Sequence, residues 1–402
     1  MKKAYLLLLL VVFTCTSIAQ PNPNIKSGGE SMHSSFEKWI GDLRWPNHSP
    51  IRYVRVLFHI VCGPSGENNF NETEAQEFVE KLVFAANEKL SNNIKMNLPL
   101  DNQTPVYPTN YRYVLTEDSL LNKAVFVHHE PNLNKAWFWN TNASNDTKFD
   151  YYLFNKYGVS KGSILNIFLL SHPPDSVPSK TYRAKAQGVG FTSHVYMAGS
   201  YQFVIENRKN NIEDPMERTA TFFSGLLNHE IGHTLGLVHS WDSHDGCEDT
   251  PLNPGCWNYS ETPPCNKEVS NNMMDYNAWQ QAVSPCQLSI IHKNLNTEGS
   301  TQRNLLRKDW CEYDAKNQVV VAAYSKVEWK GMKEFSSDII VQRGAVLDVQ
   351  DKVYLPSGAR IYVSPGAILK LKKENLLGAC TQQIPEVVLI GRRKKIGKWF
   401  TD

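Results

Sequence analysis

Long apolar runs are scarce in this 402-residue sequence, and beyond the first twenty residues none approaches the roughly 20 needed to cross a bilayer as a helix. An integral membrane protein is therefore not expected once a leader is removed. Charge of one sign is lacking as well: 42 Lys plus Arg stand against 40 Asp plus Glu, and a net charge of +2 offers no global field for nucleic acid or anionic membrane. Paired C-x-x-C spacings are absent, which argues against a structural zinc cluster.

What is present begins with a secretory pattern. Lys2 and Lys3 precede an apolar stretch from Ala4 to Phe13, and Ser17 with Ala19 gives a small-residue cleavage site. Residues 1–19 thus read as a signal peptide, placing the mature chain outside the cell, in a periplasm or at a cell surface. Seven cysteines follow it, at 62, 247, 256, 265, 286, 311 and 380, and an oxidising destination makes disulfides the expected use. Four of them fall between 247 and 286, as two bridges stapling one irregular loop would require.

Residues 20–50 are rich in Pro, Asn, Ser and Gly and read as a leader with no core of its own. The pattern then predicts a strand at Arg52–Val61, an amphipathic helix at Thr73–Leu90 capped by Asn71 or Thr73, and a short strand at Tyr111–Leu115. A helix at Phe149–Tyr157, a buried strand at Ile164–Leu170, a strand at Gly188–Met197 and a long helix at Met216–Leu235 follow. His128 and His129 lie in a polar stretch. Residues 240–285 should be loop, with a short helix from Ser289. After Cys311, β-branched runs alternate with Gly-Ala pairs at 344, 358 and 366, predicting short strands with recurrent turns.

The chemistry concentrates in His229-Glu230-Ile231-Gly232-His233-Thr234-Leu235-Gly236-Leu237-Val238-His239. Residues four apart share a helix face, so His229 and His233 can present imidazoles to one metal ion, while Glu230 is turned aside to act as a base. Gly236 allows a sharp exit from the helix, which frees His239 to approach as third ligand. Three neutral nitrogens leave a fourth position for water, the mark of a catalytic zinc site. Chance would give this pattern in roughly one of a hundred thousand chains of this length, so coincidence is the weaker explanation. His128, His129, His172, His194 and His244 lack such spacing and read as surface or structural residues.

This run resembles the metzincin signature H-E-x-x-H-x-x-G-x-x-H. Asp249-Thr250-Pro251 and Asn272-Met273-Met274-Asp275-Tyr276, set among four cysteines, resemble the pappalysin family over about residues 51–295. The resemblance implies that Met274 forms a turn supporting the histidines from beneath, and that the Tyr276 hydroxyl lies near the metal and stabilises the intermediate. It also implies bridges Cys247–Cys265 and Cys256–Cys286, which leaves Cys62 and Cys311 for a third. His292 stands where the family usually has glutamine. The segment between Cys247 and Asp249 is shorter than in relatives with a calcium loop there, which argues against a Ca2+ site. No cysteine in residues 20–50 is available for a thiol latch.

The expected fold is α/β (α+β): a metzincin-like catalytic domain over 51–310, with a twisted mixed sheet and an active-site helix, and a β-rich accessory region over 311–402. The expected activity is zinc-dependent cleavage of protein or peptide substrates, with Gly188–Met197 as the edge strand that aligns them. Two other readings stay open, a vestigial protease whose β-rich tail binds a ligand, and a metal-dependent hydrolase of non-peptide esters or amides.

Overall fold

Arg52–Cys62 (β1) is the spine of the N-terminal part, and its burial shows why: from Val56 onward nearly every side chain is enclosed, as a parallel strand covered on both faces requires. In this computed structural model the described residues are 51–137, 151–173, 184–240, 245–250, 255–263, 265–308, 311–379, 381–392 and 395–401. The expected signal peptide, the leader, His244 and Cys380 lie outside them. Glu72–Ser91 (α1) follows, opened by a capping box in which Asn71 accepts from the Glu74 N–H at 3.0 Å and the Glu74 carboxylate answers the Asn71 N–H. Tyr111–Leu115 (β2) and Val125–His129 (β3) both pair with β1 in parallel. After a short helix at Tyr152–Tyr157 (α2), Leu165–Leu170 (β4) runs parallel to β1 on its other side.

The next segment departs from expectation. Gly188–Met197 is not one strand but a tight hairpin of Gln187–Gly190 (β5) and His194–Ala198 (β6), which pair antiparallel. The chain reverses over Thr192 and Ser193, where the Phe191 N–H donates to the His194 carbonyl at 2.8 Å. The strand order is β2-β1-β4-β6-β5, with β3 also on β1, so of the hairpin only β5 lies at an end of the sheet. Ser200–Lys209 (α3), which the pattern did not predict, starts after Gly199 with no side-chain cap. Pro215–Thr234 (α4) packs with α1 against one face of the sheet in a continuous apolar core. Pro285–Asn296 (α5) begins earlier than expected, because Ser284 and Gln287 form a second capping box.

The C-terminal strands form a coil. Val319–Val321 (β7), Lys326–Trp329 (β8) and Lys333–Glu334 (β9) make the first turn, and Ile339–Val341 (β10), Val346–Val349 (β11) and Val353–Leu355 (β12) the second. Arg360–Val363 (β13), Ile368–Leu371 (β14) and Leu376–Gly378 (β15) stack on those, all in parallel register. Val319 pairs with Ile339 and Ile339 with Ile361, so successive turns advance by 20 and 22 residues. The Gly-Ala pairs are its corners. Gly344, Gly358 and Gly366 take φ of +71°, +92° and +78°, and Ala345, Ala359 and Ala367 tuck into an interior of Val, Leu and Ile.

This coil meets the N-terminal part through buried charge. Glu334 on β9 accepts from Arg303 and lies 3.2 Å from Arg52 at the start of β1. Removing one partner of a buried ion cluster leaves the others desolvated without compensation. Glu334→Ala should therefore lower stability by about 3–5 kcal/mol, read as a shift in the urea midpoint. A loss below about 1 kcal/mol would show that the cluster does not hold the two parts together.

Candidate active site

The α4 helix delivers two of the histidines, and its termination delivers the third. Leu237 donates its N–H to the Gly232 carbonyl at 2.9 Å and Gly236 donates to that of His233 at 3.0 Å, the paired bonds that end a helix through a left-handed residue. Gly236 has φ +103°, and a β-carbon there would strike the Asn294 amide at 2.2 Å. That amide caps the helix by donating to the Leu235 carbonyl at 2.8 Å. The chain thus turns back at Gly236 and, three residues later, brings His239 alongside His233.

The three rings converge. His233 Nε2 lies 3.2 Å from His229 Nε2 and 3.2 Å from His239 Nε2. His229 Nδ1 is 2.8 Å from the Met273 carbonyl and His233 Nδ1 is 2.9 Å from the Leu237 carbonyl. A carbonyl only accepts, so both Nδ1 atoms carry the hydrogen and both Nε2 atoms carry lone pairs. Lone pairs facing each other at 3.2 Å repel unless a cation lies among them. Nitrogens about 2.0–2.1 Å from a tetrahedral zinc would stand roughly 3.3 Å apart, which the observed spacing fits. Burial lowers the pKa of His229 to about 3 and of His233 to about 4, and that of His239 further still, so all three are neutral at pH 7.

The surroundings hold this geometry. A β-carbon on Gly232, between the first two histidines, would lie 2.7 Å from Met274 Sδ, so Met274 packs directly under that helix turn. Its loop is fixed by Asn272, whose side chain accepts from the Met274 N–H at 2.8 Å and exchanges bonds with Gln287. The Tyr276 ring is 4.9 Å from that of His239 and 5.9 Å from that of His229. Asp275 accepts from the hydroxyls of Ser240 and Ser270, joining the segment after His239 to this loop. Glu230 is fully buried and faces β5, where a β-carbon on Gly188 would meet its Oε1 at 2.4 Å. One on Gly190 would meet the Glu230 carbonyl at 2.2 Å. The strand pattern alone did not reveal this role of Gly188 and Gly190, although alternating glycines in a strand signal close approach of another chain segment.

The structure corrects several other expectations. The bridges are Cys247–Cys286 and Cys256–Cys265, not Cys247–Cys265 and Cys256–Cys286. Asp249 accepts from Ser284 Oγ at 2.8 Å and from the Cys286 N–H at 3.0 Å, which brings Cys247 to the start of α5. The Ser260 N–H donates to the Cys265 carbonyl, which brings Cys265 back towards Cys256. Cys247, Asp249 and Cys286 have ligand-like proximity, but the thiols are spent on each other. Cys62 is a buried free thiol, raised to about 11 chiefly by burial, whereas Cys311 is disulfide-bonded, so these two do not pair. The stretch read as polar around His128 and His129 is the strand β3, with His128 2.8 Å from His59. His292 is buried beside Tyr111, and His194 stacks on Phe154 and Phe191.

Residues 178–301 match the family model of M12B reprolysin-like metallopeptidases. That span takes in β5, β6, α4, the bridged loop and the Met274 turn, so the chain carries a metallopeptidase-like domain there. No curated protein matches the chain. Among solved structures, mirolysin in complex with a compound is 17% identical, with a TM-score of 0.42 over 64% of this chain and 96% of that one. Mature mirolysin of Tannerella forsythia in complex with a cleaved peptide is 18% identical, with a TM-score of 0.42 and the same coverage. A promirolysin mutant from the same organism is 16% identical, with a TM-score of 0.41 over 68% of this chain and 90% of that one.

Gly188→Ala tests the contact between β5 and Glu230. The added methyl should displace the carboxylate and lower kcat by about tenfold or more, with metal content unchanged. Unchanged kcat would show that Glu230 does not need this position.

Proposed function

We propose that the chain is a secreted, zinc-dependent endopeptidase of pappalysin type. The convergence of His229, His233 and His239 on one point, with the buried Glu230, next in sequence to His229, against β5, carries this reading. The disulfides Cys247–Cys286 and Cys256–Cys265 support an extracytoplasmic location, and among the described residues no helix is long and apolar enough to cross a membrane.

Zinc held by the three Nε2 atoms would polarise the scissile carbonyl and acidify water at the site. Glu230 Oε1 takes a proton from the attacking water and returns it to the leaving amine, so its charge is restored at the end of the cycle. The Met273 and Leu237 carbonyls keep His229 and His233 in the tautomer that turns Nε2 inward. Tyr276, beside His239, donates its hydroxyl to the developing oxyanion. An extended substrate lies along β5, the strand at this end of the sheet, pairing with its free backbone edge. Met274 contributes packing and no ligand.

Treatment with a chelator should abolish cleavage of a mixed peptide library, and added zinc should restore it. Glu230→Gln should retain one equivalent of zinc while kcat falls by about a thousandfold or more. Turnover by Glu230→Gln comparable to that of the parent would refute Glu230 as the base.

A further inference from the structure

Two carbonyls at the exit of the α4 helix are capped by side chains from one stretch of chain. Asn294, near the end of α5, donates to the Leu235 carbonyl at 2.8 Å, and Gln302 Nε2 donates to the Thr234 carbonyl at 3.1 Å. Gln302 belongs to the short helix Thr301–Asn304 and is buried. The last carbonyls of a helix have no partner within it, so these two amides decide whether the final turn stays closed. That turn leads through Gly236 to Leu237, whose carbonyl holds His233, and on to His239.

The outer side of the same stretch is gripped by the coil. Glu298 accepts from the Tyr354 hydroxyl and from Lys352 Nζ, the latter at 3.1 Å, and Arg303 donates to Glu334. Tyr354 and Glu334 are register partners on β12 and β9, so two neighbouring strands of the coil hold positions 298 and 303 together. Between these positions, Ser300 Oγ donates to the Asn294 carbonyl at 2.6 Å and accepts from the Arg303 N–H at 3.0 Å. The capping residues and the gripped residues thus form one hydrogen-bonded unit. α5 anchors one end of it and β1 the other, where the Arg55 N–H donates to the Leu305 carbonyl at 2.8 Å. A unit bonded on both sides passes a displacement of one side to the other.

We propose that the coil braces the metal centre, with Gln302 as a positioning residue that holds the exit of α4 and, through it, His239. This rests on the reading of the three histidines as zinc ligands. Gln302 itself touches neither metal nor substrate. Thr234 is fully enclosed, so loss of the Gln302 amide leaves its carbonyl buried without that donor. The turn then opens to find another, and the third ligand is held less firmly.

The test follows zinc passing from the full loaded chain to an excess of a coloured chelator, together with the visible spectrum of the cobalt-substituted chain. Gln302→Met, which keeps the volume and removes the donor, should release zinc about tenfold faster and alter the cobalt bands. Arg303→Met, which leaves Glu334 its contact with Arg52, should also release zinc faster than the parent. Leu153→Ala empties part of a separate apolar cluster with Phe168 and Tyr196, and serves as the control for general loosening. It should release zinc at the parent rate. Parent-like release from either Gln302→Met or Arg303→Met overturns the inference and leaves the zinc site standing. Release from Leu153→Ala as fast as from Arg303→Met overturns it as well. A parent chain that takes up no zinc removes the reading of the histidines, and the inference with it.

Discussion

Three neutral imidazoles, with His233 Nε2 3.2 Å from the Nε2 atoms of both His229 and His239, are the constraint on which the site depends. Such an arrangement is repulsive by itself, so the fold must impose it, and a divalent cation would relieve it. The imposition is local and layered. Helix spacing sets His229 and His233, and the left-handed turn at Gly236 sets His239. Carbonyl acceptors at Met273 and Leu237 fix the tautomers.

Glycine does much of the positioning around this centre, for a different reason at each place. Gly236 supplies a backbone conformation, Gly232 admits the Met274 thioether, and Gly188 and Gly190 admit α4 against the terminal strand. The loop below is irregular because its work is done by side chains and bridges rather than by a ladder. Asn272, Asp275 and Asp249 each tie it to a neighbouring helix or turn.

Much of this was legible in the sequence where periodicity or a cap carries the information. The histidine spacing on α4, the cap at Asn71 that was one of two candidates, and the runs that became β1, β2 and β4 are local signals. The disulfide partners were not, because Cys247 reaches Cys286 only through the path that Asp249 sets at the start of α5. Alternating apolar residues at 188–197 looked like one strand, since a reversal at Thr192 and Ser193 leaves that alternation intact. The Gly-Ala pairs announced turns, but parallel stacking of those turns into a coil depends on pairings 20 and 22 residues apart. Gln280 and Lys89 carry no motif at all, and only the folded chain brings them beside His229 and Gly225.

Zinc K-edge absorption on the zinc-loaded chain tests the central claim most directly. The account predicts one zinc per chain with three imidazole nitrogens and one oxygen in the first shell, at about 2.0–2.1 Å, and loss of one imidazole from that shell in His239→Ala. A chain that binds no zinc under loading conditions, or a shell containing sulfur and unchanged in His239→Ala, would contradict it.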